Sequence, residues 1–321
     1  MNKLSIVIPV YYNSETLESL YNELKETIFP KVPEYELVMV DDGSGDNSWE
    51  VMKNISLKDK NVKIIKLSRN FGSHAACLAG LSVCTGDCAT IKAADLQEPT
   101  ELILDMYESW LSGNKVVLAV RADREESFSQ KLFANMYYWL IRKFAISNMP
   151  KGGFDCYLID RKVIEVLKLL DENNSAITLQ ILWAGFKMDK IYYVRKKREI
   201  GKSRWTLRKK VKLVVDSIIS FSFLPIRFMS ITGVIFSIVS FLWTIIVLIG
   251  KLVGGIPVQG WTTLIILMLF SSGLIMLTLG ILGEYIWRTM DASRNRPVYI
   301  IDEKIQYNND EKPYKEESKK L

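Results

Sequence analysis

The chain has 321 residues, 49% of them hydrophobic, which suffices for a globular domain with a sizeable core plus appendages and excludes disorder over most of its length. Its net charge of +6 comes without any nucleic-acid-binding motif, so the basic residues point to anionic lipid headgroups and no nucleic-acid partner is expected. Four cysteines (Cys77, Cys84, Cys88, Cys156) and the single His74 give no second ligand pair for zinc, and the cysteines read as reduced thiols of a cytoplasmic domain.

Met1-Asn2-Lys3 leads into a short apolar segment ending at Pro9 with no small-residue cleavage site, so no signal peptide is predicted. Leu4 to Val10 reads as a buried strand, and Asn13-Ser14-Glu15-Thr16 opens a helix through Lys25. The alternation continues with strands at Tyr35 to Val40, Val62 to Leu67 and Cys88 to Ile91, separated by helices at Ser48 to Leu57 and His74 to Cys84. This is the pattern of an α/β fold with a mostly parallel, Rossmann-like sheet. Ligands of such sheets sit at the carboxyl ends of the strands. Three polar words fall there, Asp41-Asp42-Gly43-Ser44, Ser68-Arg69-Asn70-Phe71-Gly72 and Asp95-Leu96-Gln97, more than helix capping accounts for.

A strand near Lys115 to Ala122, a helical stretch from Gln130 to Phe144 and the loop Pro150-Lys151-Gly152-Gly153-Phe154-Asp155 follow, with another helix from Asp160. Ser175 to Gly185 and Lys187 to Val194 complete a domain over residues 1–205, and residues 206–226 form a basic, amphipathic approach suited to a membrane interface. Two runs, about Phe228 to Ile249 and Trp261 to Ile286, are apolar all round and exceed the roughly 20 residues that span a bilayer. They predict membrane helices over 227–250 and 261–287, joined by an external loop at 251–260 and followed by a cytoplasmic tail at 288–321. Basic residues crowd both flanks, from Arg195 to Arg227 and at Arg288, Arg294 and Arg296, while the loop has only Lys251, so both termini are expected in the cytoplasm. Trp243, Trp261 and Trp287 read as interface anchors, and Gly273, Gly280 and Gly283 allow close helix contact within the chain or in a homo-oligomer. From Glu303 onward the mixed charge and low apolar content predict disorder.

Taken in order and spacing, these words resemble the family-2 glycosyltransferases of GT-A fold. Within them the likeness is to the polyprenyl-phosphate enzymes that include dolichyl-phosphate mannose synthases and bactoprenol glucosyltransferases. The matching residues are Val7-Ile8-Pro9-Val10-Tyr11-Tyr12-Asn13, Asp41 to Ser44, Leu67 to Gly72, Asp95-Leu96-Gln97-Glu98-Pro99, Gly152 to Asp155, Arg198 with Gly201-Lys202-Ser203, and Gly283-Glu284-Tyr285. The resemblance implies transfer of one hexose, glucose or a derivative, from a UDP-sugar to undecaprenyl phosphate at the cytoplasmic membrane face. UDP-GlcNAc or GDP-mannose as donor, a nucleotide-sugar-binding pseudoenzyme, and a processive synthase are the alternatives. The last lacks its glutamine, because Gly201 precedes Lys202-Ser203-Arg204-Trp205.

A nucleotide base needs a flat apolar slot and a carboxylate for its N–H, which Pro9-Val10-Tyr11 with Asp42 can supply. The implied donor set is Pro9, Val10, Tyr11, Asn13, Asp41, Asp42, Asn70 and Asp95, with Asp42 preferred over Asp41 for direct contact. Diphosphate charge calls for Mg²⁺ or Mn²⁺. The family's D-x-D reads Ala93-Ala94-Asp95 here, so the first acid is missing and Asp95 with Gln97 are left as metal ligands. A lipid phosphate is already ionised near neutral pH and needs placing more than deprotonating, for which Arg198, Lys202, Ser203 and Arg204 offer donors. Asp155 matches an acid near the reacting sugar and joins Asp95 as a catalytic candidate; Tyr157 stands where the family commonly has arginine.

Overall fold

A computed structural model of the chain describes residues 2–123, 128–170, 172, 175–194, 207–254, 260–306 and 314–315. Two compact units are present, Met1–Ser217 with Pro297–Leu321, and Ile218–Arg296.

The first unit begins with β1 (Lys3–Val10), α1 (Leu17–Thr27), β2 (Glu34–Asp41), α2 (Ser48–Lys58), β3 (Val62–Leu67), α3 (Ser73–Val83) and β4 (Cys88–Ile91). It continues through α4 (Leu102–Leu111), β5 (Val116–Asp123), α5 (Phe128–Phe144), β6 (Phe154–Asp160), α6 (Arg161–Leu169), α7 (Ile177–Trp183), β7 (Met188–Val194) and the first part of α8 (Leu207–Phe221), whose residues from Ile218 onward belong to the second unit. After the second unit the chain adds β8 (Ile301–Gln306) and β9 (Tyr314–Lys315). Among the described residues these strands form one sheet in the order β7-β5-β6-β4-β1-β2-β3-β8-β9.

Strand β1 shows why the sheet is buried on both faces. Leu4, Ile6, Ile8 and Val10 join a core with α1, α2 and α4, while Val7 points at α3, where Gly80 leaves room for its side chain and that of Val40. Burying each such aliphatic side chain contributes about 1.5–3 kcal/mol. Near the amino edge, the buried Glu36 carboxylate ties strands together, accepting from Lys63 Nζ at 2.7 Å, from the Ser5 hydroxyl, and from Thr85 Oγ1 and the Gly86 amide at 2.9 Å each. Helix α4 carries Leu102, Ile103, Met106 and Tyr107 on one buried face, a spacing of i, i+1, i+4, i+5 that packs it over β5 and β6.

The sheet is parallel at its centre, β4-β1-β2-β3, and mixed at its flanks, which corrects the mostly parallel expectation. Strand β5 ends and β6 begins at the same edge, with Val120 opposite Phe154, so β6 must run antiparallel to its neighbours. The predicted disorder is corrected for Glu303 to Gln306, since β8 pairs antiparallel with β3 and Ile305 enters the core; residues 307–313 and 316–321 of that stretch lie outside the described residues. The three charged residues Asp302-Glu303-Lys304 lie between Ile301 and the buried Ile305, and β8 is flanked by β3 on one side and β9 on the other.

The second unit contains α9 (Leu224–Gly254) and α10 (Trp261–Ser293). Both are long and apolar enough to cross a membrane. Phe236 stacks on Phe270 with ring centroids 5.3 Å apart, and Arg288 pairs with Glu284 at 3.0 Å one turn earlier.

Candidate active site

Topology gathers the polar words at one sheet edge. Strands β1, β2, β3 and β4 are mutually parallel and end there, and antiparallel β6 starts there beside the end of β5. The edge therefore collects Tyr11, Asp41, Asp42, Ser68, Asp95, Arg121 and Asp155.

The turn after β1 is fastened to the turn after β2 by side-chain oxygens. Tyr12 N–H donates to Ser44 Oγ at 3.0 Å, Asn13 N–H to Ser48 Oγ at 3.0 Å and Ser14 N–H to Asp46 Oδ2 at 3.3 Å. Asn13 Oδ1 accepts the Tyr11 amide at 3.1 Å, so this side chain shapes the turn. Val10 is fully buried and belongs to the core; its carbonyl accepts the Asp42 amide at 2.9 Å. Pro9 and Tyr11 are half-buried beside it, and Tyr12 packs edge-on against Tyr11 with centroids 4.8 Å apart.

Asp41 and Asp42 are engaged differently by the surrounding backbone. Asp42 accepts the Phe71 amide at 2.7 Å and the Gly72 amide at 2.9 Å, one on each oxygen, and thereby holds the Ser68–Gly72 loop. Asp41 accepts the Ser44 amide at 3.0 Å on Oδ1, while its buried Oδ2 has no hydrogen-bond partner. Burial pushes both carboxyls above the usual aspartate range. The loop held by Asp42 comes so close that a Cβ on Gly43 would lie 2.7 Å from the Arg69 carbonyl carbon and the Asn70 nitrogen, and Gly43 has a left-handed φ of +69°. Asn70 is exposed, and Arg69 stacks over Phe71 at 4.0 Å.

Residues 92–98 form the next loop. Lys92 is fully buried; its Nζ donates to the Glu98 carbonyl and lies 4.0 Å from Glu98 Oε2, closing the base of the loop. Thr16 Oγ1 anchors the Ala94 carbonyl at 2.6 Å, Asp95 Oδ1 accepts the Gln97 amide at 3.3 Å, and Leu96 takes a left-handed φ of +57°. Among the described residues no group of three His, Cys, Asp or Glu could hold a metal ion. The oxygen donors here are Asp95 and Gln97, which fit a hard cation only as part of a ligand set completed by a substrate.

Asp155, half-exposed at the start of β6, is paired with Arg121 from the end of β5. Arg121 is itself mostly buried, with an Nε that has no hydrogen-bond partner, and the Pro150–Gly153 turn runs so close that only glycine fits at 152 against the Arg121 carbonyl. Sequence reasoning missed Arg121, although the rule that singled out strand-end polar residues on β2, β3 and β4 applies equally to β5. Tyr193 links the two loops electrostatically: burial pushes its hydroxyl up to about 12, Glu98 adds to the rise and Arg121 opposes it. Tyr157 is fully buried in the sheet rather than at the site surface, and its hydroxyl has no partner. His74 is half-buried at the start of α3, and burial lowers its pKa. The acceptor candidates Arg198, Lys202, Ser203 and Arg204 lie outside the described residues, between β7 and α8.

A model of glycosyl transferase family 2 matches residues 5–156. A glycosyltransferase of Bacillus subtilis (strain 168), YkcC, described as uncharacterized, is 41% identical over 92% of this chain and 92% of its own length. The bactoprenol glucosyl transferase of Shigella phage SfV is 34% identical over 95% of this chain and 99% of its own length. Among solved structures, Staphylococcus aureus TarS 1–349 in complex with UDP-GlcNAc is similar with a TM-score of 0.46 and 18% identity, covering 68% of this chain and 67% of that one. The mannosyltransferase PcManGT from Pyrobaculum calidifontis in complex with GDP-Man and Mn²⁺ has a TM-score of 0.46 and 17% identity, covering 63% and 58%.

Proposed function

The chain belongs to glycosyl transferase family 2, and from that premise we propose that it transfers one hexose, glucose or a derivative, from a UDP-sugar to undecaprenyl phosphate at the cytoplasmic face of a membrane. The observation that carries this reading is the single sheet edge that unites the turns after β1 and β2, the Asp95 loop and the Asp155–Arg121 pair, in a chain that then runs through a basic segment into two apolar helices. Relatives whose name includes bactoprenol support the lipid acceptor.

The acceptor phosphate oxygen is the nucleophile. It attacks the anomeric carbon from the face opposite the nucleotide, the bond from that carbon to the nucleotide's β-phosphate oxygen breaks, and UDP leaves with the electron pair. Configuration inverts, so an α-linked donor gives a β-linked product. The β1 and β2 turns, with Pro9, Tyr11 and the buried Asp41 oxygen, hold the nucleoside, and the Ser68–Gly72 loop closes beside it. Asp155, held by Arg121, orients the sugar. Arg198, Lys202, Ser203 and Arg204 bind the acceptor phosphate, the guanidinium groups in bidentate fashion. Asp95 and Gln97 would hold Mg²⁺ or Mn²⁺ together with diphosphate oxygens, and that ion would neutralise charge on the leaving group.

Strand β8 supports two membrane crossings. It follows α10 in the chain yet lies in the same sheet as the strands that precede α9, so both flanks of the apolar pair belong on one side of any membrane it crosses. The density of Lys and Arg on those flanks supports the cytoplasm as that side.

Purified protein given UDP-, GDP- and dTDP-sugars with undecaprenyl phosphate and Mg²⁺ or Mn²⁺ tests the reading. The expected product is a lipid-linked monosaccharide, formed fastest from UDP-glucose or a derivative. Polymer in place of a monosaccharide, or no lipid product from any donor, would overturn it.

A further inference from the structure

The donor loop Ser68–Gly72 is anchored at two points, and they come from opposite ends of the chain. At its far end Asp42 takes the Phe71 and Gly72 amides. At its near end the Ser68 amide donates to the Ile300 carbonyl at 3.0 Å, just beyond the β3–β8 ladder. That ladder pairs Ile64 with Ile305, Ile65 with Lys304, Lys66 with Glu303 and Leu67 with Ile301, and the extra residue on β8, Asp302, makes a bulge immediately before the loop. Ile305 is 7% exposed and packs into the main core, and Lys66 Nζ lies 3.9 Å from Glu303 Oε1 and 5.7 Å from the Trp49 ring centroid. Without β8, strand β3 would be a bare edge and Ser68 would lose its backbone partner.

We propose that β8 is a positioning element of the donor site. The Ile300 carbonyl and the ladder behind it hold Ser68–Gly72 in the shape that receives the nucleotide, so donor affinity depends on a segment that follows both apolar helices. This rests on the reading of the loop as part of the nucleotide-sugar site.

The test uses full-length Ile305→Asp. A carboxylate facing Ile64 in an apolar core is costly, and releasing the strand is the cheaper outcome. If the loop, left with Asp42 alone, is ordered about a tenth of the time, the KM for the UDP-sugar rises about tenfold, while the KM for undecaprenyl phosphate stays within about twofold. Adding Lys66→Cys and Glu303→Cys, at paired antiparallel positions, allows a disulfide to close the strand again. The four native cysteines are buried, which confines the cross-link. Oxidation should restore the donor KM and reduction should raise it once more. Ile305→Ala, which only thins the packing, gives the same split on a smaller scale if the aspartate variant fails to melt cooperatively. An unchanged donor KM in a variant whose Ile301–Gln306 amides exchange freely would overturn the proposal. So would a parallel loss in both substrates that oxidation does not repair. A wild type inactive with every nucleotide sugar would end the functional reading itself, and this proposal with it.

Discussion

Asp42→Asn changes one buried side chain by one atom type and should disable the donor loop. The carboxylate accepts one backbone amide on each oxygen, at 2.7 and 2.9 Å, and is 3% exposed. Asparagine has the same shape but a single acceptor, so its NH₂ would meet an amide N–H, leaving two donors face to face. A hydrogen bond to a charged acceptor contributes about 1.5–3 kcal/mol, and a buried unpaired donor costs about 1–3 kcal/mol. Burial has already raised the pKa of Asp42, so the neutral side chain recovers part of this in desolvation. The net loss in loop order is therefore about 2 kcal/mol, which corresponds to about thirtyfold. If only the ordered loop binds donor, KM for the UDP-sugar rises by about that factor with the acceptor KM unmoved. Initial rates at varied UDP-sugar would read this, together with hydrogen exchange at the Phe71 and Gly72 amides. Normal protection at those amides with a donor KM within about twofold of wild type would refute the assignment of Asp42 as the loop's anchor.

Three further outcomes are expected. Burial alone would raise the pKa of Glu36, but Lys63, Ser5 and the Thr85 amide pull it down to about 2. The folded value lies below the unfolded one, so this stabilisation is complete above about pH 4.5 and fades as pH falls toward 2, amounting to about 3 kcal/mol. Thermal melting across that window should show a steep loss in the wild type and a shallower slope in Glu36→Gln; equal slopes would remove Glu36 from the account. Gly43→Ala places a methyl against the Arg69–Asn70 backbone at a left-handed φ and should cost about 1–3 kcal/mol, seen as a lower Tm and a raised donor KM. A donor KM that stays put would mean the two loops move independently. Chelation by EDTA should stop turnover, with recovery on adding Mg²⁺ or Mn²⁺, and Asp95→Ala should blunt that recovery; full activity in EDTA would rule out the metal role of Asp95 and Gln97.

The central strands were legible because β1, β2 and β3 are apolar runs buried on both faces, each ended by a polar word. Helix α4 was not among the expected elements, although its apolar residues repeat with helical spacing. Strand β6 was hidden for a similar reason: its first residues, Phe154 and Asp155, also complete the Gly-Gly-Phe-Asp word. The charged run in β8 reads locally as solvated tail, and only its distant partner β3 makes it a strand. At the site, residue types and edge placement were readable from sequence. Which amides Asp41 and Asp42 accept was not, because Asp42 is engaged by the backbone of the loop after β3 while Asp41 accepts only the Ser44 amide of its own turn. Arg121 pairs with Asp155 across two strands whose antiparallel register no local pattern announces.

The late arrival of β8 has a consequence for biogenesis. Ile64 emerges early from the ribosome, while Ile305, its partner, is made only after both apolar helices. Until then β3 is an exposed edge of an otherwise formed sheet, the kind of surface that recruits other strands. A pause or truncation during synthesis of the helices would thus leave a nascent chain with an aggregation-prone flank, even though every residue of the turns after β1 and β2 had already been translated. Contacts this far apart in sequence also form slowly.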